Sequence, residues 1–374
     1  MIASVNARVF WRTAGWHFAG VLTILGLVAW LAPLPSPTDQ GMMEKVGQGV
    51  IVPGCADLNC FRILVPAVVE SFPGPSLTRW RTYAAVTNAA AAVMTGRLAL
   101  ELGLAPRAVS LAIWLSALGA GSFSTVYHPY NADSLVLFLA PWTTLLLLRG
   151  RHSAAGALAT IGIFAKEFAA APLYIAAAAS VLRRDWVNVR SRLMLAGVVT
   201  IAWVGLQLVL MAAFNYSYND NPSSRPLDGG YLRPWLEHVT PATAAFGLFG
   251  AFGAVNLMLP FGWKLAPPGL KDLCTGAIPA LLAFVYVATP ERALWNFYFL
   301  AIPAAAIVLA YLPPVLGWAF VAAYALANFR IGGQISQVPA SRYALAVSMA
   351  IAVIAVVRAL RVSRVAPDLT VATT

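Results

Sequence analysis

The stretch AAGALATIGIFAKEFAAAPLYIAAAASVL, residues 154–182, decides the fold, because its only charged side chains are Lys166 and Glu167 at the middle. Each apolar arm has about 12 to 15 residues, or roughly 18 to 23 Å of helix. One arm barely crosses a hydrocarbon core of about 30 Å. Arginines flank both ends, at Arg149, Arg151, Arg183 and Arg184. If they mark the cytoplasmic side, the stretch is a hairpin with Lys166 and Glu167 at its tip.

An ionisable pair at membrane depth is costly and predicts a functional site. The alternative is that Lys166 and Glu167 only neutralise each other at a helix bend. The sequence leaves both interpretations open.

The composition indicates a polytopic helical membrane protein. Of 374 residues, 60% are hydrophobic and 10% charged, and the mean hydropathy is +0.75, far from the values of soluble domains. The net charge of +11 lacks the clustered exposed patch that a nucleic-acid surface needs, so we expect no nucleic-acid partner. The first apolar segment is too long for a signal peptide and is expected to stay as an anchor.

We predict an all-α fold, a transmembrane helical bundle forming a single domain over residues 1–374. It has about 12 membrane segments, including short hairpins: 14–34, 82–96, 108–126, 132–148, 154–165, 168–182, 193–213, 242–262, 273–289, 296–312, 315–329 and 343–357. With both termini in the cytoplasm, 15 of the 25 Lys and Arg residues lie inside. The positive-inside rule favours this orientation. We expect the chain to lie in the inner (plasma) membrane, of a bacterium, with its active face extracytoplasmic.

Two outer loops carry varied chemistry. Residues 35–81 form the first extracytoplasmic loop, and residues 214–241 form a second loop, rich in turn residues and expected to be mobile. Tyr231 to His238 reads as an interfacial helix, either a gate for lipid or a connector. These loops point to chemistry on the extracytoplasmic face.

The first outer loop contains two candidate site residues. A short helix is expected from Thr38 to Val46, with Thr38 or Asp39 as its N-cap. Arg62 precedes an apolar stretch, 63–69, which prolines keep from spanning, so an interfacial or re-entrant helix is expected there. The Arg62 guanidinium suits either a phosphate or simple snorkelling to the lipid headgroups.

Three cysteines are present. Cys55 and Cys60 share the outer loop, where an oxidising compartment allows a disulfide without requiring one. Cys274 is expected in the core.

Further outer residues have two interpretations each. Asp133 either caps a helix or gives a carboxylate to a site, and His128 is either a titrating group or a hydrogen-bonding partner. Arg292 either pairs with neighbouring Glu291 or binds a ligand.

Several of these stretches together resemble the GT-C type of multi-spanning glycosyltransferases. They are Asp39 just after the first span, Phe61-Arg62-Ile-Leu-Val-Pro66, His128-Pro-Tyr-Asn-Ala-Asp133, Phe164-Ala-Lys166-Glu167-Phe168 and Glu291-Arg292-Ala-Leu-Trp-Asn296. The resemblance covers roughly residues 14 to 312, and the chain would be a short member without a soluble C-terminal domain.

The resemblance implies an inverting transfer of a sugar from a polyprenyl-phosphate donor to an acceptor on the outer face, which is a glycan, lipid or protein. Asp39 would be the general base, and Arg62, Lys166 and Arg292 would contact the donor phosphate. Glu167, Asp133 and His128 would complete the substrate-binding site. Gln40 follows Asp39 here, with Glu44 beyond it, which leaves the base and the use of a divalent metal open.

Two other functions fit the same composition. A secondary transporter would also have many spans and intramembrane charge, but its halves should be related, and these look dissimilar. A non-catalytic lipid-binding membrane subunit is the third candidate.

Overall fold

The chain is helical almost throughout in this computed structural model, which describes residues 2–32, 37–56, 58–217, 241–279, 290–331, 336–337 and 341–365. Most of the predicted mobile loop 214–241, including the predicted interfacial helix Tyr231–His238, lies outside the described residues.

The first part of the chain contains two 3-10 helices, Leu58–Phe61 and Glu167–Ala170, and a series of α-helices. In chain order they are α1 (Ile2–Leu31), α2 (Pro37–Gly47), α3 (Leu64–Glu70), α4 (Ser76–Glu101), α5 (Pro106–Ala117), α6 (Ala120–Tyr127), α7 (Asp133–Leu148), α8 (His152–Ile163), α9 (Ala171–Leu182) and α10 (Trp186–Phe214).

The second part continues with a 3-10 helix, Gly253–Met258, and further α-helices. They are α11 (Pro241–Phe252), α12 (Leu259–Leu265), α13 (Pro268–Gly276), α14 (Pro290–Trp295), α15 (Tyr298–Leu309), α16 (Pro314–Asn328) and α17 (Ser341–Val365). Strands β1 (Arg330–Ile331) and β2 (Ser336–Gln337) pair antiparallel before α17. Apart from this two-residue ladder, the predicted all-α fold is confirmed over the described residues.

The chain is a multi-pass membrane protein. By length and apolar composition, five described helical stretches can cross a membrane: Phe10–Leu31, Pro106–Tyr127, Trp186–Phe214, Gly247–Leu265 and Ser341–Ser363. Five shorter apolar stretches accompany them: Asp133–Leu148, His152–Ile163, Glu167–Leu182, Tyr298–Leu309 and Pro314–Asn328. The total of twelve segments and the cytoplasmic position of the termini stay predictions.

The apolar stretch 154–182 breaks at its charged centre, as the sequence predicts. Helix α8 ends at Ile163, Lys166 is extended (φ −167°, ψ 142°), and the 3-10 helix begins at Glu167. Gly162 permits this reversal, because a Cβ there would lie 2.6 Å from the Cβ of Ala169. The break gives the Lys166 side chain a fixed direction at one end of the bundle.

The two ends of the bundle differ in chemistry. Helices α4 and α7 both start near Ser76 and Tyr130, whose hydroxyls lie 3.3 Å apart. At their other ends, Glu101 accepts hydrogen bonds from Arg97 (2.7 Å) and Arg149 (2.8 Å). The Lys166 break therefore lies opposite the basic clusters that the charge pattern assigns to the cytoplasmic side.

Candidate functional site

Asp133 is the centre of the candidate site. It opens α7, is 5% exposed, and its backbone N–H donates to Asn131 Oδ1 at 2.8 Å. No side chain caps α7 from its N-cap residue, Ala132. The hypothesis that Asp133 caps the helix is wrong, because its carboxylate is engaged by two cations from distant segments.

Lys166 is the first of these cations. Its ammonium group forms an ion pair with Asp133 Oδ1, with both side chains 7% exposed. The Nζ atom also lies 5.0 Å from the ring centroid of Phe168. The interpretation that Lys166 and Glu167 mainly neutralise each other is wrong, because the extended backbone at Lys166 sends the two side chains to different partners.

Arg292 is the second cation. Its Nη2 donates to Asp133 Oδ2 at 2.7 Å from the short helix α14. Unlike Lys166, the Arg292 side chain is 44% exposed. The alternative of an ion pair with Glu291 falls on a side chain outside the described set. Arg292 is therefore the most exposed of the cations Arg62, Lys166 and Arg292.

Arg62 lies beside the same break. Its Nη2 is 3.6 Å from Glu167 Oε1, and its side chain is 11% exposed. The backbone N–H of Leu64 donates to the carbonyl of Phe164 at 3.1 Å, which attaches the Arg62 segment to the end of α8. Within the described part of the chain, the buried Nε–H of Arg62 has no acceptor. A guanidinium with unused donors can still bind an anion.

The charges of these five side chains do not balance. Arg62, Lys166 and Arg292 are cations, whereas Asp133 and Glu167 are carboxylates, so three positive charges face two negative ones. A mostly buried cluster with one excess positive charge favours an anionic ligand.

Asp39 lies on α2, the short helix that follows α1. The predicted short helix is observed, but it begins at Pro37, so Asp39 lies in its first turn and is not the N-cap. There its exposed carboxylate interacts favourably with the helix dipole. One turn later, Met43 is fully buried with Ala132 and Ala165, the neighbours of Asp133 and Lys166. This packing brings α2 against the site.

His128 is half-buried and follows the last residue of α6. Its backbone N–H donates to the carbonyl of Ser124 at 2.9 Å, and its own carbonyl accepts from the Asn131 amide. It therefore belongs to the turn that presents Asp133.

A second polar cluster next to the site was missed by the sequence analysis. Its centre is Glu70, whose side chain is 3% exposed and pairs with Arg79. Glu70 Oε1 also accepts from Trp80 Nε1 (2.7 Å) and Ser76 Oγ (3.2 Å). The sequence did contain a signal for this cluster: Glu70 is a lone carboxylate that follows the apolar stretch 63–69, and Arg79 lies nine residues later in the same predicted outer loop.

Tyr130 connects this second cluster to α2 and to the turn before Asp133. Its hydroxyl donates to Glu44 Oε1 at 3.5 Å, and Glu44 also accepts from Gln40 at 2.9 Å. Burial, and then the nearby carboxylates of Glu44 and Glu70, raises the pKa of Tyr130. Its hydroxyl is therefore a protonated donor at neutral pH.

Cys55 and Cys60 form a disulfide, which resolves the alternative that the sequence left open. Cys274 is a half-buried free cysteine on α13. Over the described ranges, no group of three or more His, Cys, Asp or Glu side chains is placed to hold a metal ion.

Comparison with known proteins gives a match at the level of fold. No protein-family model matches the sequence, and none of the curated proteins matches it. Among solved structures, the chain is similar to ArnT from Cupriavidus metallidurans in its apo state, with a TM-score of 0.55 and 14% identity. The match covers 93% of this chain and 77% of that one. The chain therefore shares its overall fold with that structure, as the resemblance in the sequence predicts.

Proposed function

We propose that this protein is a membrane glycosyltransferase that transfers a sugar from a polyprenyl-phosphate donor to an acceptor on the extracytoplasmic face. The GT-C type fold supports the general class. The donor, the face and the roles of individual residues are part of the proposal and are argued from the site.

The excess positive charge around Asp133 is the observation that carries the proposal. When a sugar leaves a polyprenyl phosphate, negative charge grows on the phosphate oxygens, and fixed cations stabilise it. Arg62 has unused donors, and Arg292 is exposed enough to meet a ligand entering from the membrane boundary. Lys166 is held in place by Asp133 before any ligand arrives.

Asp133 has a definite role in this proposal. Its carboxylate holds Lys166 and Arg292 together while the site is empty, which limits the reorganisation needed on binding. Because it already accepts from both cations, it is poorly placed to act as a base as well. Glu167 holds Arg62 in a similar way, at a longer distance of 3.6 Å.

Asp39 is the proposed general base. It is an exposed carboxylate on a helix that packs against the site, so an acceptor hydroxyl from the aqueous side can reach it. An inverting transfer needs one base to take the hydroxyl proton as the new glycosidic bond forms and the sugar–phosphate bond breaks. No covalent enzyme intermediate is required.

The test uses the purified full-length chain in lipid nanodiscs. Binding of polyprenyl phosphate is compared with binding of the uncharged polyprenol, and turnover is followed as release of polyprenyl phosphate from a panel of polyprenyl-phosphate hexoses and pentoses. Wild type should bind polyprenyl phosphate more tightly than polyprenol. When an envelope extract supplies acceptors, it should also release polyprenyl phosphate from one of the donors. Asp39→Asn should keep binding but lose about 100-fold or more in turnover.

Matched variants test the donor assignment and the assignment of the base separately. Lys166→Gln should weaken phosphate binding, whereas Arg151→Gln, which removes an exposed arginine at the opposite end, should not. Equal wild-type affinity for polyprenol and polyprenyl phosphate would overturn the donor assignment. Selective binding with full turnover by Asp39→Asn would overturn only the assignment of the base.

A further inference from the structure

The Cys55–Cys60 disulfide lies immediately before Arg62 in the chain. The bond closes a turn whose two cysteines are 5% and 1% exposed. Asn59 lies inside this closed turn and contacts Arg62 twice. Its carbonyl accepts the Arg62 backbone N–H at 3.2 Å, and its Oδ1 accepts from Arg62 Nη1 at 3.4 Å. The disulfide ring therefore contains a residue that contacts both the backbone and the side chain of Arg62.

The closed turn is itself attached to the end of α10. The backbone N–H of Ser217 donates to the Cys55 carbonyl at 2.9 Å, and the N–H of Gly54 donates to the Phe214 carbonyl at 3.1 Å. Phe61, between Cys60 and Arg62, packs edge-on against Tyr216 with the ring centroids 5.4 Å apart. These contacts attach the residues on both sides of the disulfide to the end of a long helix, close to Arg62 in the chain.

The same turn also contacts the helix that carries Asp39. Cys60 Sγ lies 3.4 Å from Met42 Sδ, on α2. Met42 belongs to the apolar cluster that surrounds the disulfide, whereas its neighbour Met43 packs beside the Lys166 break. The disulfide is thus in contact with both segments of the first outer loop that carry proposed site residues.

The hydrogen bonds and ion pair that hold the Arg62 guanidinium are long. Its distances to Asn59 and Glu167 are 3.4 Å and 3.6 Å, near or beyond the limit of a good hydrogen bond. Such contacts do not by themselves fix a flexible side chain, which has many rotamers to lose. The position of Arg62 must therefore depend on the backbone that leads into it.

We propose that the Cys55–Cys60 disulfide is a positioning element of the donor site, which holds Arg62 where its guanidinium meets the phosphate. The inference rests on the proposed function. With the bond reduced, the turn containing Asn59 gains conformational freedom and Arg62 must be ordered when the ligand binds, so affinity falls. Asp133 and Lys166 keep their ion pair, and α2, which carries Asp39, stays packed against α3 at Gly47, so turnover at saturating donor is preserved.

The experiment measures the Kd for polyprenyl phosphate in nanodiscs for four proteins: wild type, Cys55→Ser/Cys60→Ser, Arg62→Gln, and the triple variant. The double cysteine variant should raise Kd about 3- to 10-fold, and Arg62→Gln about 10-fold or more, as expected for losing a charge-assisted hydrogen bond. The triple variant should resemble Arg62→Gln, since a device that acts through Arg62 adds nothing once Arg62 is gone.

Cys274→Ser is the matched control, because it removes the remaining cysteine, which lies on α13 and belongs to neither segment of the first outer loop, and it should leave Kd unchanged. Reduction of the wild-type chain, followed by reoxidation, repeats the test without mutation. It replaces the double cysteine variant if that variant fails to fold. Donor KM should rise while kcat at saturating donor stays within about twofold.

The outcomes separate this inference from the proposed function. Cysteine effects that multiply with that of Arg62→Gln would show a general structural role and overturn the inference, as would a cysteine variant with wild-type Kd. A wild-type chain that does not distinguish polyprenyl phosphate from polyprenol would instead defeat the proposed function. In that case Arg62→Gln would also have no effect.

Discussion

Asp133 and Lys166 are 33 residues apart in the chain and form an ion pair in which both side chains are 7% exposed. The pair joins the start of α7 to the break between α8 and α9. Its two members are not equivalent, because Asp133 has a second cationic partner in Arg292, whereas Lys166 has Asp133 as its hydrogen-bonded carboxylate. This asymmetry leads to the first prediction.

Asp133→Asn should destabilise the fold more than Lys166→Gln. Loss of Asp133 leaves a buried ammonium without its carboxylate, which costs about 3 to 5 kcal/mol. Loss of Lys166 leaves Asp133 still bonded to Arg292, so the cost should be about 1 to 2 kcal/mol. Unfolding of the detergent-solubilised variants by denaturant titration gives both values. Equal losses, or the reverse order, would contradict the asymmetry.

Arg292→Gln should weaken ligand binding with little effect on stability. The Arg292 side chain is 44% exposed, and Asp133 keeps Lys166 when Arg292 is removed. We expect the Kd for polyprenyl phosphate to rise about 10-fold, and the unfolding free energy to change by less than about 1 kcal/mol. Arg292→Lys, which keeps the charge without the planar fork, should give an intermediate Kd. A large loss of stability with unchanged binding would assign Arg292 a structural role.

Glu70→Gln should destabilise the loop segment that carries Arg62 and α3. The substitution keeps one acceptor for Trp80 or Ser76, but leaves the Arg79 guanidinium, 17% exposed, without its counter-charge. A loss of about 2 to 3 kcal/mol is expected. Hydrogen exchange at α3 should locate the effect.

Glu101→Gln is the matched control for Glu70→Gln. Its side chain is 29% exposed and also pairs with arginines, at the opposite end of the bundle. Solvent screens that cluster more, so a smaller loss is expected. If the control is the more damaging of the two, burial is not what makes Glu70 important.

Gly47→Ala should displace α2 from α3. A Cβ at Gly47 would lie 2.3 Å from Glu70 Cγ and 2.6 Å from the Pro66 carbonyl oxygen, and the backbone atom cannot rotate away. Overpacking of this kind costs about 1 to 3 kcal/mol. Because α2 carries Asp39, turnover should fall more than donor binding.

Gly41→Ala on the same helix is the control for Gly47→Ala. An added Cβ there meets nothing within 4 Å, so the higher helix propensity of alanine should leave the protein unchanged or slightly more stable. A Gly47→Ala variant with wild-type stability and turnover would show that α2 is free to move.

The sequence could predict the helices because apolar runs and helix-breaking positions act locally. The break at Lys166, the short helices α2 and α3, and the basic clusters near Arg97 and Arg183 all follow from residues close together in the chain. Errors at the local level were small, such as placing the start of α2 at Thr38 or Asp39 instead of Pro37.

The partners of the charged side chains could not be read in the same way. The sequence placed Lys166 beside Glu167, Arg292 beside Glu291, and Asp133 at a helix start where capping is common. The structure instead directs Lys166 and Arg292 to Asp133, and Arg62 to Glu167. Neighbouring side chains on an extended or 3-10 backbone point in different directions, so adjacency in sequence does not predict pairing.

The sequence by itself determined a polytopic helical membrane protein, a charged break within an apolar stretch, and a set of candidate residues. The tertiary structure alone decided that Lys166 and Arg292, which lie 33 and 159 positions from Asp133, share its carboxylate. It also decided that Glu70 is buried among Arg79, Trp80 and Ser76. The physical reason is one of range. Apolar burial and backbone geometry are set by the residues in a short window, whereas an ion pair depends on how whole helices pack and on which charges that packing removes from water.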